Sequence, residues 1–315
     1  MDQASGEFDY STPAPGLGVL RLQRPSRRNA LHLSLVQDLH RLFDRILADG
    51  SLRALVLYGE GGHFCAGLDL KAWVEGNDFD KAQVLQAMRL QQTFAGLIQR
   101  LRASDTAVIA AVDGVAVGAG MALTLAADVR FGTARTQFHI GAVRIGLTAG
   151  ECGISYHLPR LIGAGRAFEL MLTGRPMPAD EALQAGLLSG LVPPEQLLAR
   201  ALECAQQIVA NPPYSTAHTK RLMWQNIDAP SLAAALELEN HAQVLGLMTQ
   251  DFDAAVQSFV QKKAPTGSAG VAPVQSYEPV GLWASKARMR PGEASFCRIR
   301  RPIAGLWGKK TVKNG

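Results

Sequence analysis

Only four cysteines occur in 315 residues, at 65, 152, 204 and 297, and they form no CxxC or metal-ligand spacing. That excludes a disulfide framework and leaves reduced thiols in a cytoplasmic compartment as the expectation, with Cys65 and Cys152 as small buried hydrophobes. No apolar run reaches membrane-spanning length, and the first thirty residues carry Asp2, Glu7 and Asp9 without a hydrophobic signal core. Membrane insertion and secretion are therefore not expected. No Ser-His-Asp order, metal-ligand cluster, heptad or tandem repeat stands out. What remains is an ordinary globular composition, 47% apolar and 19% charged, long enough for one large α/β domain or a domain with an appendage.

The net charge of +5 is unevenly spread. From residue 267 onward nine Lys and Arg face only Glu278 and Glu293, so that segment carries +7 and the other 266 residues sum to −2. The folded part offers no electrostatic case for nucleic acid. The Pro/Gly-rich segment 267–315 reads as a basic, solvated, disordered tail, with a membrane-surface or partner arm as the competing reading.

Two glycine turns dominate what is present. The β-branched run Val108 to Val112 leads through Asp113-Gly114 into Gly118-Ala119-Gly120 and then an apolar, Ala-rich stretch. This is the pattern of a strand, a tight turn and a buried helix. Small residues there let backbone N–H groups approach a ligand oxygen, and the helix end adds partial positive charge. No Lys, Ser or Thr follows the glycines as a P-loop requires, so an oxyanion fits better than a phosphate; a packing turn beneath a buried helix is the other reading. A second segment, ALVLYGEGGHFCAGLDLKA (54–72), repeats the plan from a buried strand through Gly59 to Gly62 into FCAGLDL. Two such turns supply two amide donors to one carbonyl oxygen.

With both motifs in view, the chain resembles the crotonase superfamily of enoyl-CoA hydratases and isomerases. FCAGLDL is similar to that family's first oxyanion segment and DGVAVGAGMALTLAADVRF to its second, and the likeness runs from about Gly18 to Lys263 with motif order kept. The resemblance implies an α/β fold, a spiral of repeated ββα units over residues 1–200, followed by an all-helical trimerisation region over 201–266. It implies an acyl-CoA thioester as substrate, no separate cofactor because coenzyme A is part of that substrate, and a homotrimer or dimer of trimers. It also implies that the N–H groups of Leu68 and Ala119 are the oxyanion donors. Ala66, Gly67, Asp69, Leu70, Gly118 and Ala142 then line the substrate site. Arg27, with Arg28, lies in a loop that is similar to the family's RPxxxNAL segment and would meet the nucleotide end of coenzyme A, although a solvated basic loop explains the same residues.

Along the chain, Val19 to Leu22 reads as a strand, and Ser34 to Leu47 and Val84 to Leu101 as amphipathic helices. Residues 77–83 are polar and patternless. Asp128 and Glu169 read as structural acids. Leu187 to Val192 reads as a final strand broken by Pro193-Pro194. Glu195 to Ala210, Tyr214 to Gln225, Ser231 to Met248 and Asp251 to Lys263 then read as helices.

The chemistry turns on which acids are present. At the positions matching the paired glutamates of the hydratases the chain has Ala122 and Ala142, and an alanine cannot carry a proton. One acid remains in the right neighbourhood, Glu151 in GLTAGECG, a loop similar to the one where dienoyl-CoA isomerases place an Asp. Burial beside apolar groups would raise its pKa toward the range useful for taking and returning a proton. A helix-capping or salt-bridged loop acid is the competing reading. His157 reads as a packing histidine, and His139 as at most a weak polarising group. The sequence therefore points to an enoyl- or dienoyl-CoA isomerase acting through a thioester enolate with Glu151 as its acid/base. The alternatives are an enoyl-CoA hydratase and a non-catalytic acyl-CoA-binding protein.

Overall fold

The computed structural model describes residues 3–4, 6–48, 50–75 and 84–261. The patternless stretch 77–83, the basic tail, Cys297, Lys262 and Lys263 lie outside the described residues. The chain divides into two units, Met1–Val274 and Gln275–Gly315, and every described residue belongs to the first.

The chain enters through β1 (Gln3–Ala4), β2 (Phe8–Ala14) and β3 (Leu17–Leu22), then passes through α1 (Leu33–Ile46) to β4 (Ala54–Gly59). Helices α2 (Leu70–Glu75) and α3 (Val84–Ala103) lead to β5 (Ala107–Val112), β6 (Val115–Val117) and α4 (Ala119–Ala126). There follow β7 (Val129–Gly132), β8 (Gln137–His139), α5 (Ile154–Ile162) and α6 (Ala164–Thr173). The mixed part closes with β9 (Met177–Pro178), α7 (Ala179–Gln184) and β10 (Gly190–Leu191). Beyond it α8 (Leu197–Ala210), α9 (Pro213–Asn226), α10 (Leu232–Leu247) and α11 (Gln250–Val260) are all helical. The expected change from core to helical end at residues 200 and 201 falls inside α8.

Pairing makes one sheet in the order β1-β2-β3-β4-β5-β7-β10 and a second in the order β6-β8-β9. The strands β3, β4, β5, β7 and β10 are parallel. After each of β3, β4, β5 and β7 the chain crosses to the second layer for a short extended piece. Isolated parallel bridges, Leu31 with Leu68 and Cys65 with Ala116, continue that layer from residue 31 through 65–68 to β6. The result is a two-layer spiral of strand, short strand and helix, as expected for the ββα repeat.

Strand side chains alternate between two cores, which is why β4 and β5 read as continuous apolar runs. Leu55, Leu57, Val108, Ala110 and Val112 join the main core with α1, α3 and α4. Ala54, Val56, Ile109 and Ala111 face Leu197, Ala201 and Ala205 of α8 on the other side. α1 begins at His32, whose ring accepts from the Leu35 N–H at 3.3 Å, and buries Leu35, Val36, Leu39, Leu42, Phe43 and Ile46.

The expected strand Leu187 to Val192 shrinks to Gly190–Leu191. The N–H groups of Leu187 and Leu188 both bond the Ala182 carbonyl, at 2.9 and 3.2 Å, finishing the turn after α7 rather than a ladder. Conversely, β2 was not expected; its alternation of Phe8 and Tyr10 inward is interrupted by a register shift between Ser11 and Ala14.

Asp128 is structural, as its place between helix and strand suggested. It accepts from the Val108 N–H at 2.7 Å and from the Trp224 indole at 2.7 Å, and pairs with the buried Lys220 ammonium at 3.1 Å. Lys220 also donates to the Leu101 and Thr106 carbonyls at 3.0 and 2.7 Å, tying α9 to the end of α3 and the start of β5. Lys220→Ala removes the cation beside the half-buried Asp128 carboxylate and the donor to two carbonyls. We expect a loss of about 3–5 kcal/mol, to be read as a lower midpoint in urea unfolding.

Candidate active site

The first glycine turn is held on both sides by main-chain bonds. Cys65 N–H donates to Val115 O at 3.1 Å and Val117 N–H to Cys65 O at 2.9 Å, while Leu31 N–H donates to Gly67 O at 2.7 Å and Asp69 N–H to Leu31 O at 2.9 Å. In that parallel bridge the bonds to Leu31 come from the groups flanking Leu68, so the N–H of Leu68 points to the opposite side. It donates to no acceptor among the described residues. Gly67 has φ +78°, and a Cβ there would lie 2.5 Å from Val117 O and 3.5 Å from Ala119 N. Glycine is required here because the two turns touch.

The second turn places Gly118 at φ 50° and ψ −118°, with its N–H on His139 O at 3.1 Å. Ala119 opens α4, so its N–H has no acceptor one turn earlier, and no side chain caps this helix. Two amides without an acceptor among the described residues, those of Leu68 and Ala119, thus lie on turns that touch. A positive helix end contributes to the same place.

Glu151 lies against the second turn. Its Oε1 lies 2.9 Å from where a Cβ on Gly118 would stand, so the carboxyl packs directly on the second turn. Among the described residues it forms no ion pair and no side-chain hydrogen bond. It does not cap α5 either; that helix starts at Gly153 without a side-chain cap, and the Ile154 N–H takes the Glu151 main-chain oxygen at 2.8 Å. Burial alone pushes the Glu151 pKa above the ordinary glutamate range. The following Cys152 is held at φ 46°, a left-handed conformation rare outside glycine and asparagine, which costs on the order of 1 kcal/mol or more.

Ala122 and Ala142 are both buried, Ala122 within the main core. Asp69 is also buried, but its Oδ2 pairs with Arg24 at 3.0 Å and its Oδ1 accepts from the Ala72 N–H at 3.1 Å. Burial would raise its pKa, but the Ala72 bond and the Arg24 charge outweigh this and hold it low. Asp69 therefore starts α2 and fixes the Arg24 loop, with its lone pairs turned to protein donors. Leu70 is 49% exposed at the head of α2, and Ala66 is anchored by its N–H to Arg28 O at 2.9 Å. Arg27 lies in the 3-10 turn Pro25–Arg27, with a buried Nη1 that has no partner among the described residues.

Several positioning groups escaped the sequence reading. Asn29, fully buried at φ 57°, receives the Arg24 N–H at 2.8 Å and donates to Glu60 O and His63 O at 2.9 and 2.7 Å. It ties the Arg24–Arg28 loop to the loop before the first turn; an Asn between basic residues and an apolar pair was the available signal. His139 contributes its carbonyl rather than its ring, and burial and then Arg144 lower its pKa. Cys65 and Cys152 are buried, with pKa values pushed up to about 12, mainly by burial, so they stay protonated. Glu169 pairs with Arg175, as a structural acid would. Among the described residues no group of His, Cys, Asp and Glu is arranged to hold a metal ion, and no helix is long and apolar enough to cross a membrane.

The comparison with known proteins agrees with this architecture. Residues 13–267 match the family described as enoyl-CoA hydratase/isomerase. A Mycobacterium leprae protein named a probable enoyl-CoA hydratase is 38% identical over 257 residues, covering 80% of this chain and 86% of its own length. The 1,2-epoxyphenylacetyl-CoA isomerase of Escherichia coli is 30% identical, covering 82% of this chain and 97% of that protein. The crystal structure of an enoyl-CoA hydratase from Bacillus anthracis superposes with a TM-score of 0.76 at 30% identity, over 82% of this chain and 98% of that one. Between a matched length of this extent and a spiral shared with solved relatives, the chain belongs to the enoyl-CoA hydratase/isomerase family of enzymes, within the crotonase superfamily.

Proposed function

We propose that the chain is an enoyl- or dienoyl-CoA isomerase with Glu151 as its only proton carrier. The Glu151 carboxylate takes a proton from the α carbon of a 3-enoyl thioester. The electron pair moves onto the thioester oxygen, where the N–H groups of Leu68 and Ala119 bind the developing charge. Return of the proton to the γ carbon gives the 2-enoyl isomer, with no atom gained or lost and no water or oxidant consumed. The observation that supports this reading is the unpartnered Glu151 carboxyl packed on Gly118, with methyl groups at Ala122 and Ala142. A half-buried carboxyl without a cation beside it among the described residues is suited to both halves of a proton transfer.

Arg27 is the candidate for the phosphates of coenzyme A by its place in the loop similar to the family's RPxxxNAL segment. Self-association as a trimer or dimer of trimers is proposed through α9–α11, where Met223, Leu232, Val244, Met248 and Val260 are more than half exposed.

The deciding assay offers purified protein 3-enoyl-CoA and, separately, 2-enoyl-CoA in H₂¹⁸O. Formation of 2-enoyl-CoA without label supports the isomerase. Labelled 3-hydroxyacyl-CoA from the 2-enoyl thioester, with the 3-enoyl thioester unchanged, would assign hydration instead, the reading favoured by the hydratase names of several relatives. Binding of CoA esters without turnover across enoyl, dienoyl, β-keto and halo-aryl thioesters would leave a binding protein.

A further inference from the structure

Among the described residues no side-chain hydrogen bond or ion pair holds Glu151, so its position depends on the backbone that follows it. That backbone runs through Cys152 at φ 46° and Gly153 at φ 81° into α5. The His157 ring lies against this turn: a Cβ on Gly153 would be 3.4 Å from His157 Cδ2 and 3.6 Å from Nε2. On its other side His157 meets the Trp224 ring edge-on, with centroids 5.9 Å apart. Trp224 cannot retreat, because the Arg102 guanidinium sits 3.0 Å above its ring and its Nε1 donates to Asp128 at 2.7 Å. Tyr156 and Arg160 fix the same helix from outside through Asp228, Arg160 at 2.8 Å.

We propose that His157, backed by Trp224, is a positioning residue that wedges the Glu151–Gly153 turn against the Gly118 turn. This rests on the reading of Glu151 as the proton carrier. The stack couples the all-helical end of the chain to the site, since Trp224 belongs to α9 and Glu151 precedes α5. His157 acts by shape. Its Nδ1 is buried without a partner among the described residues, and burial followed by the charges of Arg102, Arg160 and Arg130 holds its pKa down to about 4. It is therefore a neutral ring at physiological pH, and a phenyl group fills the same wedge.

The test measures isomerase kinetics of the full chain in four variants, with folding checked by circular dichroism. His157→Ala is expected to lower kcat about 10- to 100-fold with KM within twofold, the scale of a catalytic group displaced by about an ångström. The acidic limb of its pH–rate profile moves down toward ordinary glutamate values as the carboxyl reaches water. His157→Phe is expected to restore kcat to within about threefold, as ring volume is what the wedge requires. Trp224→Phe keeps the ring but loses the bond to Asp128, and is expected to lower kcat at least about threefold even if His157→Ala does not fold. A folded His157→Ala enzyme with unchanged kcat and pH limb overturns the proposal. So does a His157→Phe enzyme as impaired as the alanine variant, or a Trp224→Phe enzyme with unaltered kcat. Glu151→Gln, run alongside, separates the two readings: if it retains turnover, the proton-carrier assignment itself is wrong, whereas an inactive Gln variant beside a fully active His157→Ala sinks only the wedge.

Discussion

Glu151→Gln is expected to lower kcat for enoyl isomerisation by about 10²–10⁴, the range for loss of a general acid–base group. The amide keeps the volume that packs on Gly118 but cannot take a proton from carbon. The variant should fold at least as well as the parent. Burial raises the Glu151 pKa in the folded state, so native protein binds its proton more tightly than unfolded chain does. Its contribution to stability is full below the unfolded pKa and is lost as pH rises through the folded one. Above its folded-state pKa the ionised carboxyl is a liability that glutamine removes, and thermal unfolding there should show an equal or higher midpoint. A capping or salt-bridged carboxylate would give the opposite sign. Full turnover in the Gln variant, or a clear drop in its midpoint, would count against the assignment.

Gly67→Ala is expected to cost about 10²–10³ in kcat/KM, the scale of one lost oxyanion donor. The added methyl would stand 2.5 Å from the Val117 carbonyl oxygen, a backbone atom, at a residue with φ +78°. Neither side gives easily, because Cys65 is bonded to β6 and Gly67 to Leu31. Relief must come by moving the Leu68 N–H away from that of Ala119, which breaks the pair without touching any ionisable group. Gly165→Ala is the control. It lies in α6 with nothing within 4 Å of the added methyl, and should stabilise by about 0.5–1 kcal/mol with unchanged kinetics. Activity of Gly67→Ala equal to that control would rule out the paired amides as the source of catalysis.

The strands and longer helices were legible because their burial pattern is local. Ala54–Gly59 and Ala107–Val112 are apolar on both faces, and α1 carries a complete helical stripe, so each declares its environment within a few residues. Leu187 to Val192 misled because an apolar run does not say whether its amides pair with a strand or finish a helix; the Ala182 carbonyl decided that. Asp69 stood in the right motif for a ligand-facing residue, yet Arg24, 45 positions away, takes its carboxylate. The His157–Trp224 stack joins residues 67 positions apart in sequence and carried no motif.

From the sequence alone came the two glycine turns, the alanines at 122 and 142, and Glu151 as the remaining acid in that neighbourhood. Composition and short-range pattern suffice for these, since they depend on which groups exist and on the local backbone they permit. Only the tertiary structure decided that the Leu68 and Ala119 amides, on touching turns, both lack an acceptor among the described residues, and that Glu151 is half-buried against Gly118 without a side-chain partner among them. Those are properties of the space between segments: hydrogen bonds to residue 31 turn one amide outward, the start of α4 leaves the other unpaired, and the turn ahead of α5 brings the carboxyl against Gly118.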